Sequence, residues 1–162
     1  MKQVEIPAEQ IRIDSPIGKL TIFARGGAVC SITLANTDSQ SNAKAPVSQH
    51  VLRQAAQELS EYFSGKRTRF TFAMRAEGTP FQQSVWAALL DIPFGETKSY
   101  GEIAKVVENP KGARAVGMAC NKNPIMIAVP CHRVVGASGA LTGYAYGTGM
   151  KQSLLDLEQH KK

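Results

Sequence analysis

The chain of 162 residues allows one domain or two small ones. Apolar residues make up 43% of it and charged residues 20%, which argues against wholesale disorder. No uninterrupted apolar run approaches the length of a membrane span, roughly 20 residues, so an integral membrane protein is excluded. The first residues hold no apolar signal core, and we expect no export. The net charge of +6 allows a polyanionic partner.

Three cysteines, Cys30, Cys120 and Cys131, indicate the redox environment in which we expect the protein to work. Their odd number does not suit a disulfide framework. No two of them form a Cys-x-x-Cys pair, so we expect no structural zinc site and no other metal. The simplest interpretation is three reduced thiols in a cytoplasmic protein. The sharper question is whether one of them is reactive.

Residues 1–75 have the pattern of a small α/β unit. Short β-branched runs predict strands at 18–24 and 28–34, joined by a hairpin turn at Gly26-Gly27. A polar loop is predicted next. Apolar residues at three- and four-residue spacing then predict an amphipathic helix, and a further strand follows. These three elements cover residues 36–46, 47–63 and 66–72.

Residues 76–162 are predicted to be mainly helical. Thr79 can cap a helix that starts at Pro80 and ends before Pro93. Ser99 and Glu102 form a capping-box pattern at the start of a second, short helix. Asn109-Pro110 breaks that helix, and another is predicted over residues 111–120. The order helix, tight turn, helix is that of a helix-turn-helix, a motif common in DNA binding.

The second helix of that pair has an unusual surface. Its sequence from residue 112 to 120, GARAVGMAC, is almost all small, with Arg114 as its one long cation. A helix that reads bases in the major groove carries several long polar side chains. A small face instead suits a close, sequence-independent approach to a minor groove. Tight packing against another helix also requires small residues, so both interpretations stay open.

Cys131 is the candidate nucleophile. An apolar run at 125–129 predicts a buried strand that leads directly to Cys131 and His132. A nearby imidazole can activate a thiol, either directly or through a bridging water, and a third group would orient that imidazole. Glu158, in the last predicted helix, is a candidate for the third group. The alternative is that Cys131 is a buried structural thiol.

The segment PCHRVV at residues 130–135 resembles the active-site signature of the DNA alkylguanine alkyltransferases, the 6-O-methylguanine-DNA methyltransferases. The resemblance is close over residues 79–160 and loose over the first 75. It implies a mixed α+β fold, in which an α/β supporting domain at 1–75 precedes a winged helix-turn-helix-like, DNA-binding and alkyltransferase domain at 76–162. Other residues also stand in the family's order and spacing: Tyr100, residues 113–117, Asn123, Pro124, residues 141–144, Lys151, Leu154, Leu155 and Glu158.

The resemblance implies a role for each catalytic residue. Cys131 would accept the alkyl group from the 6-oxygen of guanine, and His132 would deprotonate it through a water. Glu158 would hold His132, and Asn123 would brace the turn that carries the cysteine. Tyr100 would press on the phosphate beside the flipped nucleotide and protonate the departing guanine.

The resemblance also implies a DNA-binding surface. Arg114 would fill the space that the flipped base leaves in the duplex, because the target oxygen lies inside the base stack. Small residues would allow the helix to lie in the minor groove: Ala113, Ala115 and Gly117. We therefore expect a monomer that binds duplex DNA containing 6-O-alkylguanine without sequence preference, and that also accepts 4-O-alkylthymine. Each molecule would react once, irreversibly, without a cofactor.

Two features depart from the family's pattern. Val134 and Tyr144 are expected to line the substrate pocket, but Tyr146 stands where the family often has glycine. It predicts a narrower pocket, in which methyl transfers faster than benzyl. Residues 1–75 carry ten basic and six acidic side chains, and residues 76–162 carry nine and seven. This distribution predicts modest, strongly salt-dependent affinity for DNA.

Two other function classes compete with alkyl transfer. A non-catalytic winged-helix sensor of alkylated DNA would recruit other repair factors and would not need Cys131. A Cys-His hydrolase or acyltransferase would need an oxyanion hole and would turn over many substrates. The helix-turn-helix with Arg114 has no purpose in the second scheme.

Overall fold

A computed structural model describes residues 8–34, 49–141 and 143–160. The chain divides into two compact units, Met1–Ala76 and Glu77–Lys162. The first is a small sheet with one helix and the second is mainly helical, so the predicted mixed α+β fold class is confirmed. Within the described ranges, no helix is long and apolar enough to cross a membrane.

The first unit contains a three-stranded antiparallel sheet in the order β1-β2-β3. The predicted hairpin is present, because Gly26 and Gly27 both have positive φ, as a two-residue type I′ turn requires. A strand that precedes it in the chain pairs with β2 through Ile11 and Ile22. The strands have these bounds: β1 Glu9–Ser15, β2 Gly18–Arg25 and β3 Ala28–Leu34.

Helix α1, Gln49–Phe63, lies against this sheet. Its apolar residues recur every three or four positions and are buried, which fits the predicted amphipathic helix: Val51, Leu52, Ala55, Leu59 and Tyr62. The predicted loop at 36–46 and the first two residues of the predicted helix lie outside the described residues.

The predicted strand at 66–72 is wrong. No strand forms there, and the chain reaches the sheet only later, where Met74 makes an isolated parallel bridge to Val29. The reason is a competing hydrogen-bond partner on α1. Glu58 accepts a hydrogen bond from the Thr71 backbone N–H at 2.6 Å and another from the Thr71 hydroxyl at 2.7 Å. A side chain thus takes the backbone donor that a neighbouring strand would use.

Among its described residues, the second unit has four α-helices and a two-stranded parallel sheet. Helix α2 begins as predicted, with Thr79 and Gln82 forming a complete capping box. Trp86 ties α2 to α4 by donating a hydrogen bond to the Ala119 carbonyl at 2.9 Å. The elements have these bounds: α2 Pro80–Leu90, β4 Lys98–Ser99, α3 Tyr100–Val106, α4 Ala113–Asn121, β5 Val134–Val135 and α5 Thr148–His160.

Helices α3 and α4 form the predicted helix-turn-helix. Ser99 caps α3 by accepting a hydrogen bond from the Glu102 N–H at 3.0 Å. The other half of the predicted capping box does not form, because the Glu102 carboxylate lies 3.7 Å from Lys98 Nζ instead of accepting from the Ser99 N–H. Helix α4 starts at Ala113, two residues later than predicted. At Gly112, just before it, a Cβ atom would lie 2.4 Å from the side-chain Nδ2 of Asn109, so a larger residue there would displace the Asn109 side chain.

Candidate active site

The loop before Cys131 is buried, but it is not the strand that its apolar sequence predicts. Residues 126–128 form a tight turn in which Ile127 has φ of +72° and the Ala128 N–H bonds to the Met126 carbonyl at 2.8 Å. This is a γ-turn, strained for a β-branched residue. An apolar run reports burial, and periodicity alone cannot tell a buried strand from a buried turn.

A second tight turn places the cysteine itself. Pro130 has φ of −84° and ψ of 64°, and the Cys131 N–H bonds to the Val129 carbonyl at 2.8 Å. This is an inverse γ-turn, and a single turn of 3-10 helix, Cys131–Arg133, follows it. Cys131 and His132 are therefore neighbours on a tight helical turn and not on opposite faces of a strand.

Asn123, which lies just after the C-terminal end of α4, holds this loop in place. Its amide nitrogen donates to the Val129 carbonyl at 2.8 Å, and its amide oxygen accepts from the Ile125 N–H at 3.0 Å. The same nitrogen lies 3.2 Å from Cys131 Sγ. One side chain thus connects both ends of the loop to the sulfur, which is the geometry of a brace.

Cys131 is 5% exposed, and burial raises the pKa of its thiol. The hydrogen bond from Asn123 and the positive charge of Lys151 act in the opposite direction, because both favour the thiolate. Burial also raises the pKa of Cys120, to about 12, so that thiol stays protonated. The charge of Lys151 lowers the pKa of both thiols, so the side-chain hydrogen bond from Asn123 is what distinguishes Cys131 from Cys120.

His132 is fully buried, and its Nε2 lies 2.6 Å from Glu158 Oε2. Burial alone would raise the pKa of Glu158, but the hydrogen bonds and charges of His132 and Arg133 outweigh it and lower the pKa to about 2. An ionised carboxylate can only accept, so Nε2 carries the proton and Nδ1 carries a lone pair. Nδ1 is buried without a hydrogen-bond partner among the described residues. Burial lowers the pKa of His132, which keeps the imidazole neutral and the Nδ1 lone pair able to accept a proton.

Sequence reasoning gave Arg133 no role, although the residue stands in the same hexamer as Cys131. Its Nε donates to Glu158 Oε1 at 2.8 Å and its Nη2 to Oε2 at 3.0 Å. A third bond joins Nη1 to the Ile92 carbonyl at 2.7 Å. The buried guanidinium therefore fixes the carboxylate that fixes His132.

Lys151 is a second residue whose role was missed. It is fully buried, its Nζ donates to the Tyr100 hydroxyl at 3.3 Å, and it lies 5.5 Å from the centre of the Tyr100 ring. Burial lowers the pKa of this lysine, while the two nearby thiols, Cys131 and Cys120, raise it. The Tyr100 hydroxyl also lies 3.4 Å from the Gly143 carbonyl. Lys151 thus contacts Tyr100 directly and acts on Cys131 through its charge.

Most of the predicted DNA-contacting residues meet at one open groove of about 440 Å³. The groove brings together residues from α3, α4 and the loop before α5: Tyr100, Ala113, Arg114, Gly117, Met118, Asn121 and Gly143. Ala115 is half-buried on α4 and does not line it. Gly117 lies under the Tyr100 ring, because a Cβ there would be 3.7 Å from a ring carbon.

The predicted pocket residues belong to the chain that follows the cysteine. Val134 is buried in β5, where it pairs with Lys98. The rings of Tyr144 and Tyr146 meet edge to face at 5.8 Å between their centres. The Tyr144 hydroxyl is buried with no hydrogen-bond partner in the described parts of the chain, and burial raises its pKa. Residues 8–34, 49–141 and 143–160 contain no group of three His, Cys, Asp or Glu side chains able to hold a metal ion.

Two family models match the chain. One, described as 6-O-methylguanine DNA methyltransferase, DNA binding domain, matches residues 80–160. The other, the ribonuclease-like domain of 6-O-methylguanine DNA methyltransferase, matches residues 11–76. Both stretches match the models of one family.

Individual relatives agree with the family models. A methylated-DNA–protein-cysteine methyltransferase of Mycobacterium tuberculosis is 47% identical over 150 residues, which is 92% of this chain and 91% of the relative. One from Methanosarcina acetivorans is 58% identical over 106 residues, covering 65% of this chain and 68% of the relative. The crystal structure of Mycobacterium tuberculosis OGT in complex with DNA has a TM-score of 0.84 and 46% identity, with 94% of each chain covered. The family predicted from the sequence is confirmed, and this chain belongs to the 6-O-methylguanine DNA methyltransferase family.

Proposed function

We propose that this chain repairs alkylated DNA by moving a methyl group from the 6-oxygen of guanine to Cys131. Its family and the activity for which its relatives are named confirm the predicted class, a methylated-DNA–protein-cysteine methyltransferase, and do not favour a non-catalytic sensor. One observation supports the roles assigned to these residues. His132 is buried and donates from Nε2 to Glu158, which leaves a lone pair on its Nδ1. That arrangement suits a base for the adjacent thiol.

The transfer is a direct displacement at the methyl carbon. The Cys131 sulfur forms the new S–C bond while the bond from carbon to the guanine oxygen breaks. The thiol proton passes to His132 Nδ1 through a bridging water. The departing guanine takes a proton from the Tyr100 hydroxyl, which Lys151 supports from 3.3 Å. The imidazolium then releases its proton to solvent and the tyrosinate takes one up, which restores both groups.

The buried charges of Glu158 and Arg133 keep His132 in the tautomer that can accept a proton at Nδ1. Glu158 and Arg133 form a closed ion pair that holds the imidazole in one tautomer and stabilises the imidazolium as it forms. Asn123 holds the sulfur and the loop in place, so the geometry exists before DNA binds. Glu158, Arg133 and Asn123 are thus positioning residues. They orient the imidazole and the sulfur between which the thiol proton moves.

The groove beside α4 is the surface on which we propose that DNA binds. Arg114 is exposed there and fills the gap left by the extruded guanine, whose extrusion costs a few kcal/mol. Ala113 and Gly117, which line the groove, let the helix backbone approach the minor groove without reading bases. Tyr100 begins α3 and faces the phosphate beside the flipped nucleotide, while Val134 and Tyr144 line the guanine pocket.

Several properties follow from this chemistry. The thioether on Cys131 is stable, so each molecule reacts once and irreversibly. Donor and acceptor are the DNA and the protein itself, so no cofactor takes part. We propose a cytoplasmic monomer that acts on duplex DNA of any sequence and also accepts 4-O-alkylthymine. Residues 1–75 would form the supporting domain and residues 76–162 the reactive one.

The experiment is an intact-mass measurement after incubation with a duplex that contains one 6-O-methylguanine. We expect the mass of one methylene on Cys131, saturating at one per molecule. Cys131→Ser should gain no mass, whereas Cys120→Ser is the matched control and should gain it fully. Lesion binding by the unchanged chain without any mass gain would refute the transfer and point to a sensor.

A further inference from the structure

Met118 is an anomaly on the surface of α4. It is 65% exposed, on a helix face whose other groove-lining residues are small or polar: Ala113, Arg114, Gly117 and Asn121. The described chain has two comparable exposed apolar side chains, Leu90 and Val106, but neither lines the groove. Met118 does line it, together with Tyr100. A side chain this exposed contributes little to packing, so folding does not explain a methionine here.

The position of Met118 relates it to Arg114. The two residues are four positions apart, which places them on one face of α4 and about 6 Å apart along the helix axis. Bases in a duplex are stacked about 3.4 Å apart, so 6 Å corresponds to roughly two base steps. We take α4 to lie along the minor groove, as proposed above, with Arg114 in the gap left by the guanine. Met118 then reaches the step between the first and second base pairs beside that gap.

We propose that Met118 is a second wedge, which enters the minor groove beside Arg114 and unstacks the base step that flanks the lesion. The inference rests on the proposed function, because it concerns the extrusion of the alkylated guanine. Apolar wedges, methionine among them, are a known means of opening base steps from the minor groove. Methionine is flexible and polarizable and makes no directional hydrogen bond, so it can open a step of any sequence.

The wedge is tested by single-turnover methyl transfer from a duplex, compared with transfer from free 6-O-methylguanine base, which needs no extrusion. We expect Met118→Ala to slow transfer from the duplex about tenfold, corresponding to about 1.4 kcal/mol, and to change the free-base rate less than twofold. Met118→Leu keeps an apolar side chain of similar size and should retain the duplex rate. Val106→Ala, an equally exposed change outside the groove, is the matched control and should change neither rate.

A fluorescence measurement reports unstacking directly. With 2-aminopurine placed beside the lesion, binding of the Cys131→Ser variant should raise the fluorescence of the duplex. Most of that rise should be absent when the double variant Cys131→Ser/Met118→Ala binds. A base that faces an abasic site is already weakly held, so such a duplex should restore the transfer rate of Met118→Ala.

Two results would overturn the wedge. One is an unchanged duplex rate in Met118→Ala, and the other is an equal loss with duplex and free base, which would place the effect in the pocket. Both presuppose that the unchanged chain transfers methyl to Cys131. If that transfer itself is absent, the proposed function fails, and its failure is seen before any Met118 variant is compared.

Discussion

Glu158→Gln separates the chemical role of the buried ion pair from its structural role. The carboxylate accepts hydrogen bonds from His132 at 2.6 Å and from Arg133 at 2.8 and 3.0 Å, and it lies 3.4 Å from the Gly95 N–H. Glutamine keeps the shape but has one acceptor oxygen and no charge. Its amide N–H₂ must then face either the imidazole or the guanidinium, both of which are donors.

The expected cost in stability is large. Arg133 is 6% exposed and would lose its buried counter-ion, and breaking one side of a buried ion pair costs about 3–5 kcal/mol. A domain of this size has roughly 5–15 kcal/mol in total, so we expect the variant to fold but to unfold at lower denaturant concentration. Loss of the fixed tautomer should also slow methyl transfer by about 10²- to 10⁴-fold.

The double variant Arg133→Met/Glu158→Gln provides the control. Removing both charges relieves the unpaired guanidinium, so most of the free energy of unfolding should return. The transfer rate should not return, because His132 still lacks its carboxylate. Denaturant unfolding measures the change in the free energy of unfolding, and single-turnover transfer measures the change in rate, both at about 15 °C. A transfer rate that recovers together with stability would refute the positioning role proposed for Glu158.

Acid unfolding tests the same carboxylate by its pH dependence. The pKa of Glu158 is about 2 in the folded chain against an ordinary value of 4.5. A depressed folded pKa means that this group stabilises the fold above pH 4.5 and that its contribution is lost as the pH falls toward 2. Glu158→Gln should lack this component of the stability profile.

Three further predictions concern other parts of the chain. Asn123→Ala should lower the free energy of unfolding by about 1–3 kcal/mol and slow transfer to Cys131, measured by denaturant unfolding and single-turnover assay; an unchanged rate would contradict the brace. Tyr146→Gly should raise the ratio of benzyl to methyl transfer if its bulk narrows the pocket, and an unchanged ratio would remove that explanation. Glu58→Gln should speed hydrogen exchange at the Thr71 amide about tenfold or more, because that N–H loses a charged acceptor; equal exchange would contradict the tether.

Local chemistry explains which elements were predictable. The hairpin at Gly26-Gly27 and the start of α2, with Thr79 as its cap and Pro80 as its first residue, depend on residues close together in the chain, so their sequence signals are direct. The helix-turn-helix and the Cys131-His132 pair were visible for the same reason. The strands predicted at 66–72 and 125–129 were wrong, because alternation and apolar runs report burial and not the hydrogen-bond partner.

The sequence by itself determined the family, the candidate nucleophile and the small residues of α4, since each depends on residue type in a fixed local order. Only the tertiary structure decided how the nucleophile is supported. Arg133 meets Glu158 across 25 residues, and Lys151 meets Tyr100 across 51. No local pattern specifies such pairs, because a buried charge finds its partner through the packing of distant elements. The tautomer of His132, and with it the base beside Cys131, follows from those long-range contacts.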